Sequence, residues 1–157
     1  MEWGDVKVSK SNKILGILFV VSAFILPHSS FAQSTASAHV DVLSKSTDSW
    51  NGKRYTGYPK GQPELTVLKM TIPANTALPW HIHPFPNAGY VLQGQLTIED
   101  KASGKKQTFQ KGQAFAESVD DVHRGVSGPT PTVLIITYAG TPGVPTFVAQ
   151  PGEKPEY

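Results

Sequence analysis

Three histidines carry the clearest chemical signal in this sequence. His81 and His83 stand two residues apart in the run Trp80-His81-Ile82-His83, and His123 follows much later. On an extended strand the side chains at i and i+2 share a face, so His81 and His83 can direct two imidazoles at one point. A third imidazole arriving from another strand would give three nitrogen ligands and leave coordination positions open. Reactive metal sites need such open positions, whereas structural sites are usually closed by protein ligands.

The elements that must position these histidines are strands. The sequence after residue 32 has no long helical stretch and consists of short β-rich runs broken by glycine and proline, which is typical of a sandwich or small barrel. Gly94 and Gly112 stand where strands must bend or turn tightly. The expected strands are 40–43, 64–72, 80–83, 89–92, 95–99, 106–109, 114–117, 122–126 and 132–138.

Residues 1–32 have the features of an export signal. Three lysines precede the apolar run 14–26, and small residues at positions 30 and 32 predict cleavage before Gln33. The apolar run is short for a membrane span, which needs roughly 20 residues. We therefore expect a periplasmic or secreted protein with no membrane association after cleavage.

The mature chain, 33–157, has the size of one domain. We expect a barrel core at about 64–140, an N-terminal arm at 33–61 and a proline-rich tail at 141–157 that lies on the barrel surface. The formal charge of +2 for the whole chain includes the leader lysines, so no nucleic-acid partner is indicated. The chain has no cysteine, which excludes disulfides and thiolate ligands.

Residues 80–94 resemble the first motif of the cupin superfamily. They read WHIHPFPNAGYVLQG, and the cupin motif places a glutamate and then a glycine after H-x-H. His83, Asn87 and Gly94 fall on that spacing, with asparagine where the family usually has glutamate.

The second cupin motif begins with glycine and ends with a metal-binding histidine, and the interval from Gly112 to His123 matches it. The glycine inside this motif is replaced by Asp120, and its proline by Ser118. The resemblance covers about 64–140, most of the mature domain.

The resemblance implies a small single-domain cupin, that is, a double-stranded β-helix or jelly-roll barrel with a metal near one end of its lumen. His81, His83 and His123 would then be ligands of one divalent metal ion, and Asn87 would be the fourth. The alternative for Asn87 is a turn residue, because it follows two prolines. A neutral amide in place of the carboxylate leaves the metal more positive and a stronger Lewis acid. Fe, Mn, Zn, Ni and Cu all remain candidates.

Glu117 is the candidate catalytic residue. It lies six residues before His123, so on an uninterrupted strand both side chains share a face. A carboxylate in an apolar lumen is costly unless it contacts a metal, a histidine N–H or a transferable proton. Near the metal but unbound, it is a general base; the alternative is a bulge that turns it outward.

These features favour a metalloenzyme that acts on a small organic molecule by dioxygenase, isomerase or lyase chemistry. Fold similarity does not choose among these reactions. The alternatives left open are a non-catalytic periplasmic protein that binds a small ligand or metal, and a barrel whose histidines hold no metal. Trp80, Phe85 and Tyr90 either line the pocket or pack in the barrel. The polar arm before Gly61 is a candidate surface for forming a homodimer.

Overall fold

The computed structural model describes residues 37–155, and the expected export signal lies outside them. From His39 onward the described residues form one compact unit. Among residues 37–155 no helix is long and apolar enough to cross a membrane.

Within residues 37–155, nine strands form two antiparallel sheets, so the expected all-β fold is confirmed. The first sheet has the order β1-β8-β3-β6 and the second β5-β4-β7-β2-β9. The strands are β1 Glu64–Ile72, β2 His81–Ile82, β3 Asn87–Gln93, β4 Gln95–Asp100, β5 Lys106–Gln110, β6 Ala114–Ala116, β7 His123–Ser127, β8 Thr132–Gly140 and β9 Val148–Ala149.

Alternating side chains explain how the sheets enclose a core. In β8, Leu134, Ile136 and Tyr138 are buried, while the residues between them face outward. β8 pairs along its whole length with β1, from Glu64 opposite Gly140 to Ile72 opposite Thr132. The buried apolar core is Ile72, Phe85, Val91, Leu96, Ile98, Phe109, Phe115, Leu134, Ile136 and Tyr138.

The turn between β3 and β4 shows why the first motif ends in glycine. Gly94 has a φ of 74°, which L side chains rarely adopt. A Cβ there would also lie 2.6 Å from the carbonyl oxygen of Pro131. The glycine therefore permits the tight connection that sends the chain from one sheet to the other.

Two terminal segments differ from the expectation. Residues 40–43 are not a strand, and Val40 and Val42 are 75% and 73% exposed. Their β propensity is not realised because the segment has no strand beside it to complete a ladder. The tail does more than lie on the surface, since β9 pairs with β2, placing Ala149 opposite His81 and Val148 opposite Ile82. The short run between Pro145 and Pro151 keeps the backbone N–H groups that this pairing needs.

Candidate metal centre

The three histidines meet where β2 and β7 begin. His81 is paired directly across the sheet with His123. His83 follows β2, and its carbonyl accepts a hydrogen bond of 2.9 Å from the backbone N–H of Asp120. The ring centroids lie 4.7–5.0 Å apart, and one nitrogen from each ring lies within 4.8 Å of the others. All three side chains are buried, so the structure brings together the three residues that the motifs single out.

Backbone carbonyls orient each imidazole. The Nδ1 atoms of His81, His83 and His123 lie 2.9, 2.8 and 2.7 Å from the carbonyl oxygens of Pro79, Thr146 and Asp121. A carbonyl only accepts hydrogen bonds, so each Nδ1 carries its proton and donates it. The Nε2 atoms face the centre of the cluster, and those of His81 and His83 are 3.3 Å apart. Metal-binding histidines are commonly held in this way, by a hydrogen bond from the nitrogen that does not bind the metal.

Glu117 lies beside the cluster, on the inner face of the barrel. Its Oε2 is 2.8 Å from Nε2 of His83, and its Oε1 is 3.9 Å from Nε2 of His123. Backbone contacts fix its position, because its carbonyl accepts a hydrogen bond of 2.6 Å from the hydroxyl of Tyr55. Its own N–H donates to the carbonyl of Asn87 at 3.2 Å. The carboxylate can therefore contact a metal ion or a small ligand bound by the histidines.

Burial and mutual repulsion set the charges of the cluster. Burial, together with the nearby imidazoles of His83 and His123, lowers the pKa of His81 to about 4. Burial also lowers the pKa of His123. For Glu117, burial raises the pKa, but His83 and the other histidines outweigh it and hold the pKa at about 2. At neutral pH, His81 and His123 are neutral and Glu117 is ionised.

This set of donors fits a divalent cation. Nε2 lone pairs face one another and a carboxylate, and Nε2 of His123 has no hydrogen-bond partner among the described residues. Such a cluster needs a positive charge, which either a divalent metal or a proton on Nε2 of His83 would supply. Three imidazole nitrogens with a nearby carboxylate are ligands that Fe, Mn, Zn, Ni and Cu accept.

Asn87 is the first residue of β3 rather than a turn residue, and its side chain is buried. Neither its amide oxygen nor its amide nitrogen has a hydrogen-bond partner within residues 37–155. Buried amides are rarely left without one. Asn87 lies opposite the buried Tyr138 on the neighbouring strand, so its side chain is on the inner face of the sheet.

The sequence reasoning missed the residues that support the centre. Asn51 Nδ2 donates hydrogen bonds of 2.9 Å to Asp100 and 2.7 Å to Asp121, and the ammonium of Lys53 also contacts Asp121. Asp121 is the residue whose carbonyl holds His123. The only sequence signal was the turn-forming pair Asn51-Gly52, which says nothing about this contact. Asp120 has a φ of 52°, the conformation for which the cupin motif uses glycine.

Trp80, Phe85 and Tyr90 do not line the cavity at the histidines. The ring of Trp80 is covered by Arg124, whose guanidinium lies 4.4 Å from the ring centroid. Phe85 is a core residue, and Tyr90 alternates with the buried residues of β3. The aromatic neighbours of the centre are instead Tyr138, whose ring is 5.5 Å from that of His83, and Phe147, whose ring is 5.8 Å from that of His81.

Comparisons with known proteins agree with this architecture in fold. No protein family and no curated protein matches the sequence, but solved structures do. The DMSP lyase DddQ from Ruegeria pomeroyi DSS-3 superposes with a TM-score of 0.50 at 16% identity, over 57% of this chain and 45% of that one. An RmlC-like cupin from Shewanella frigidimarina superposes with a TM-score of 0.44 at 22% identity, over 51% of this chain and 69% of that one. A double-stranded β-helix domain protein from Klebsiella pneumoniae superposes with a TM-score of 0.46 at 18% identity, over 62% of this chain and 83% of that one.

The chain spans less than half the length of the two DMSP lyases it matches, which it covers over 45% and 44%. At these identities the likeness concerns the fold. The two facing antiparallel sheets carry H-x-H at β2 and the second-motif histidine at β7, as the motif spacing predicts. The chain therefore has a double-stranded β-helix fold, in which the residues that resemble the two cupin motifs lie at β2 and β7.

Proposed function

We propose that this protein is an exported metalloenzyme that binds one divalent metal ion through His81, His83 and His123 and transforms a small organic molecule. The observation that carries the proposal is the orientation of the three imidazoles. Each is held through Nδ1 by a backbone carbonyl, so three Nε2 lone pairs converge beside the carboxylate of Glu117. Arranging three buried lone pairs and an anion in this way is costly unless a cation completes the site.

Each residue has a distinct part in this proposal. The three histidines bind the metal as neutral ligands, so the negative charge beside it comes from the carboxylate of Glu117. Asn87 provides the fourth ligand or a hydrogen bond to the substrate, since its buried amide lacks a protein partner. Bound there, a divalent metal acts as a Lewis acid that polarises a substrate oxygen or acidifies a bound water.

Glu117 is the proposed proton-transfer group. Its position 2.8 Å from Nε2 of His83 puts its carboxylate beside the metal-binding face of the cluster. Because the neighbouring histidines keep its pKa near 2, Glu117 is ionised at neutral pH but is a weak base, so it would accept a proton only from a group that a bound metal had made more acidic. Dioxygenase, isomerase and lyase reactions can all use a base in this place.

The proposal is tested with a conservative substitution at Glu117. Glu117→Gln should retain the metal, because the three imidazoles are unchanged, but should lose turnover. Oxygen uptake on a panel of phenols and 1,3-diketones provides a first assay, with metal content measured on the same samples. Glu64→Gln, at an exposed position of β1, is the matched control and should keep both properties. Unchanged turnover in Glu117→Gln would remove the role assigned to this residue.

The second candidate is a periplasmic protein that holds a metal or a small ligand without converting it. The small space beside the histidines, about 20 Å³, favours this alternative because it leaves little room for a substrate. Tight metal binding without turnover on the whole panel would support it. Export itself is tested by expressing the full chain and determining whether the mature N-terminus is Gln33.

A further inference from the structure

The free space beside the histidines is very small. The cavity lined by His81, His83 and Glu117 has a volume of about 20 Å³, enough for roughly one water-sized group. Gly125 forms part of its wall, and a Cβ at this position would lie 3.0 Å from Cδ1 of Leu96 and 3.3 Å from Cδ1 of Leu78. A ligand can therefore place only a small head group at the centre.

A larger cleft lies next to this cavity, between β1 and the segment 73–78 that follows it. On one side is β1, the end strand of the first sheet. On the other is the segment 73–78, which joins the second sheet through a hydrogen bond of 2.8 Å from the N–H of Leu78 to the carbonyl of Gly125. The cleft has a volume of about 450 Å³, within the range of small-molecule sites. Its apolar lining is Leu68, Met70, Ile72, Pro73 and Leu78.

Met70 and Leu78 line both spaces. Both side chains are half-buried and pack against the core, so they form the wall that separates the cleft from the histidines. Met70 has an unbranched, flexible side chain that can move aside more easily than a branched one. A molecule lying in the cleft would reach the histidines by passing between these two residues.

We propose that the cleft binds the apolar body of the substrate, with Met70 and Leu78 as the residues that select its size. This inference rests on the proposed function, because it assumes that a head group meets a metal at the histidines. The substrate class is a molecule with an alkyl or aryl body and a single small polar head, such as a hydroxyl or carbonyl oxygen. Among the residues that line the cleft, the one charged side chain is Lys69, which is exposed, so nothing there would repay the burial of a charged body.

The test uses alkanethiols, whose head group is a single atom. The protein loaded with Co²⁺ is titrated with ethanethiol, butanethiol and hexanethiol, and binding is read from the sulfur-to-cobalt charge-transfer band. Each methylene buried in the cleft should lower Kd about fourfold. Met70→Trp should raise the Kd of hexanethiol about tenfold or more while changing that of ethanethiol little. Leu78→Trp provides a second variant with the same expectation, and Leu92→Trp, at a partly exposed position on β3, is the control.

The outcomes separate the two proposals. If Co²⁺ does not bind, or ethanethiol gives no charge-transfer band, the proposed metal centre is wrong and this inference falls with it. If ethanethiol binds but Kd is independent of chain length, the metal centre stands and the role of the cleft is overturned. Equal effects of Met70→Trp and Leu92→Trp on hexanethiol would likewise exclude Met70 from the path.

Discussion

The imidazole of His83 is held by the backbone carbonyl of Thr146, 2.8 Å from Nδ1 and 63 residues further along the chain. The same segment places Phe147 against the ring of His81 and forms β9, which pairs with β2. A segment outside the motif-bearing part of the barrel thus fixes two of the three candidate ligands. Outer groups of this kind commonly change metal affinity by about 10–100-fold.

Shortening the chain tests this relationship. A protein that ends at Val144 lacks the carbonyl of Thr146, the ring of Phe147 and β9, so its metal affinity should fall by about tenfold or more. A protein that ends at Gly152 keeps all three and should bind as the full chain does. Competition with a chromophoric chelator gives the affinities, and circular dichroism checks that the sheets remain. Equal affinities in two folded proteins would contradict the role assigned to Thr146.

Asn51 is expected to support His123 through Asp121. Asn51→Ala leaves the carboxylates of Asp100 and Asp121 without their shared donor, which should lower the free energy of unfolding by about 1–3 kcal/mol. Arg54→Met breaks an exposed ion pair with Asp48 and should cost less than about 1 kcal/mol. Urea unfolding of the metal-free proteins gives both values. The metal affinity of Asn51→Ala should also fall, and an unchanged affinity would limit Asn51 to a structural role.

His123 and Arg124 are neighbours with opposite orientations. His123→Ala removes a proposed ligand and should abolish tight metal binding. Arg124→Met breaks the contacts of the guanidinium with Glu99 and Trp80, so it should lower stability by about 1 kcal/mol and leave the metal affinity unchanged. Metal titration of the two variants checks this contrast. Loss of metal in Arg124→Met would contradict the assignment of Arg124 to the outer face.

The stability of the metal-free protein should fall as the pH drops from about 6.5 towards 4. In the unfolded chain a histidine gains its proton near pH 6.5, whereas burial holds the pKa of His81 at about 4 in the folded protein. Proton uptake therefore favours the unfolded chain between these pH values. The titration of His81 alone should lower the free energy of unfolding by on the order of 3 kcal/mol. Glu117 has a pKa of about 2 in the folded protein, so below about pH 4.5 its protonation in the unfolded chain lowers the free energy of unfolding further. Urea unfolding at several pH values should show a weaker slope for His81→Gln than for the wild type. Equal slopes would mean that His81 does not titrate as described.

The strands and the three histidines could be predicted because each depends on a short pattern. Alternation in 64–72 and 132–138 sets strand faces, and H-x-H on an extended strand places two imidazoles together whatever the rest of the chain does. The match from Gly112 to His123 identified the third candidate ligand. These features are local or belong to a recognised motif spacing.

The supporting contacts could not be predicted in this way. The groups that hold the histidines are backbone carbonyls of Pro79, Thr146 and Asp121, and every residue type has such a carbonyl. β9 has only two residues, too few for a periodic signal. Conversely, residues 40–43 have the composition of a strand but do not pair with a neighbouring strand. β propensity alone does not form a strand.

The central claim is that the three imidazoles bind one cation. The most direct measurement is an anomalous-scattering map from crystals of protein purified without added metal. We expect a single peak at about 2.0–2.2 Å from Nε2 of His81, His83 and His123, which would also identify the element and show whether Asn87 binds it. A map without a peak there, together with metal titrations in which His81→Ala/His123→Ala behaves as the wild type, would contradict it.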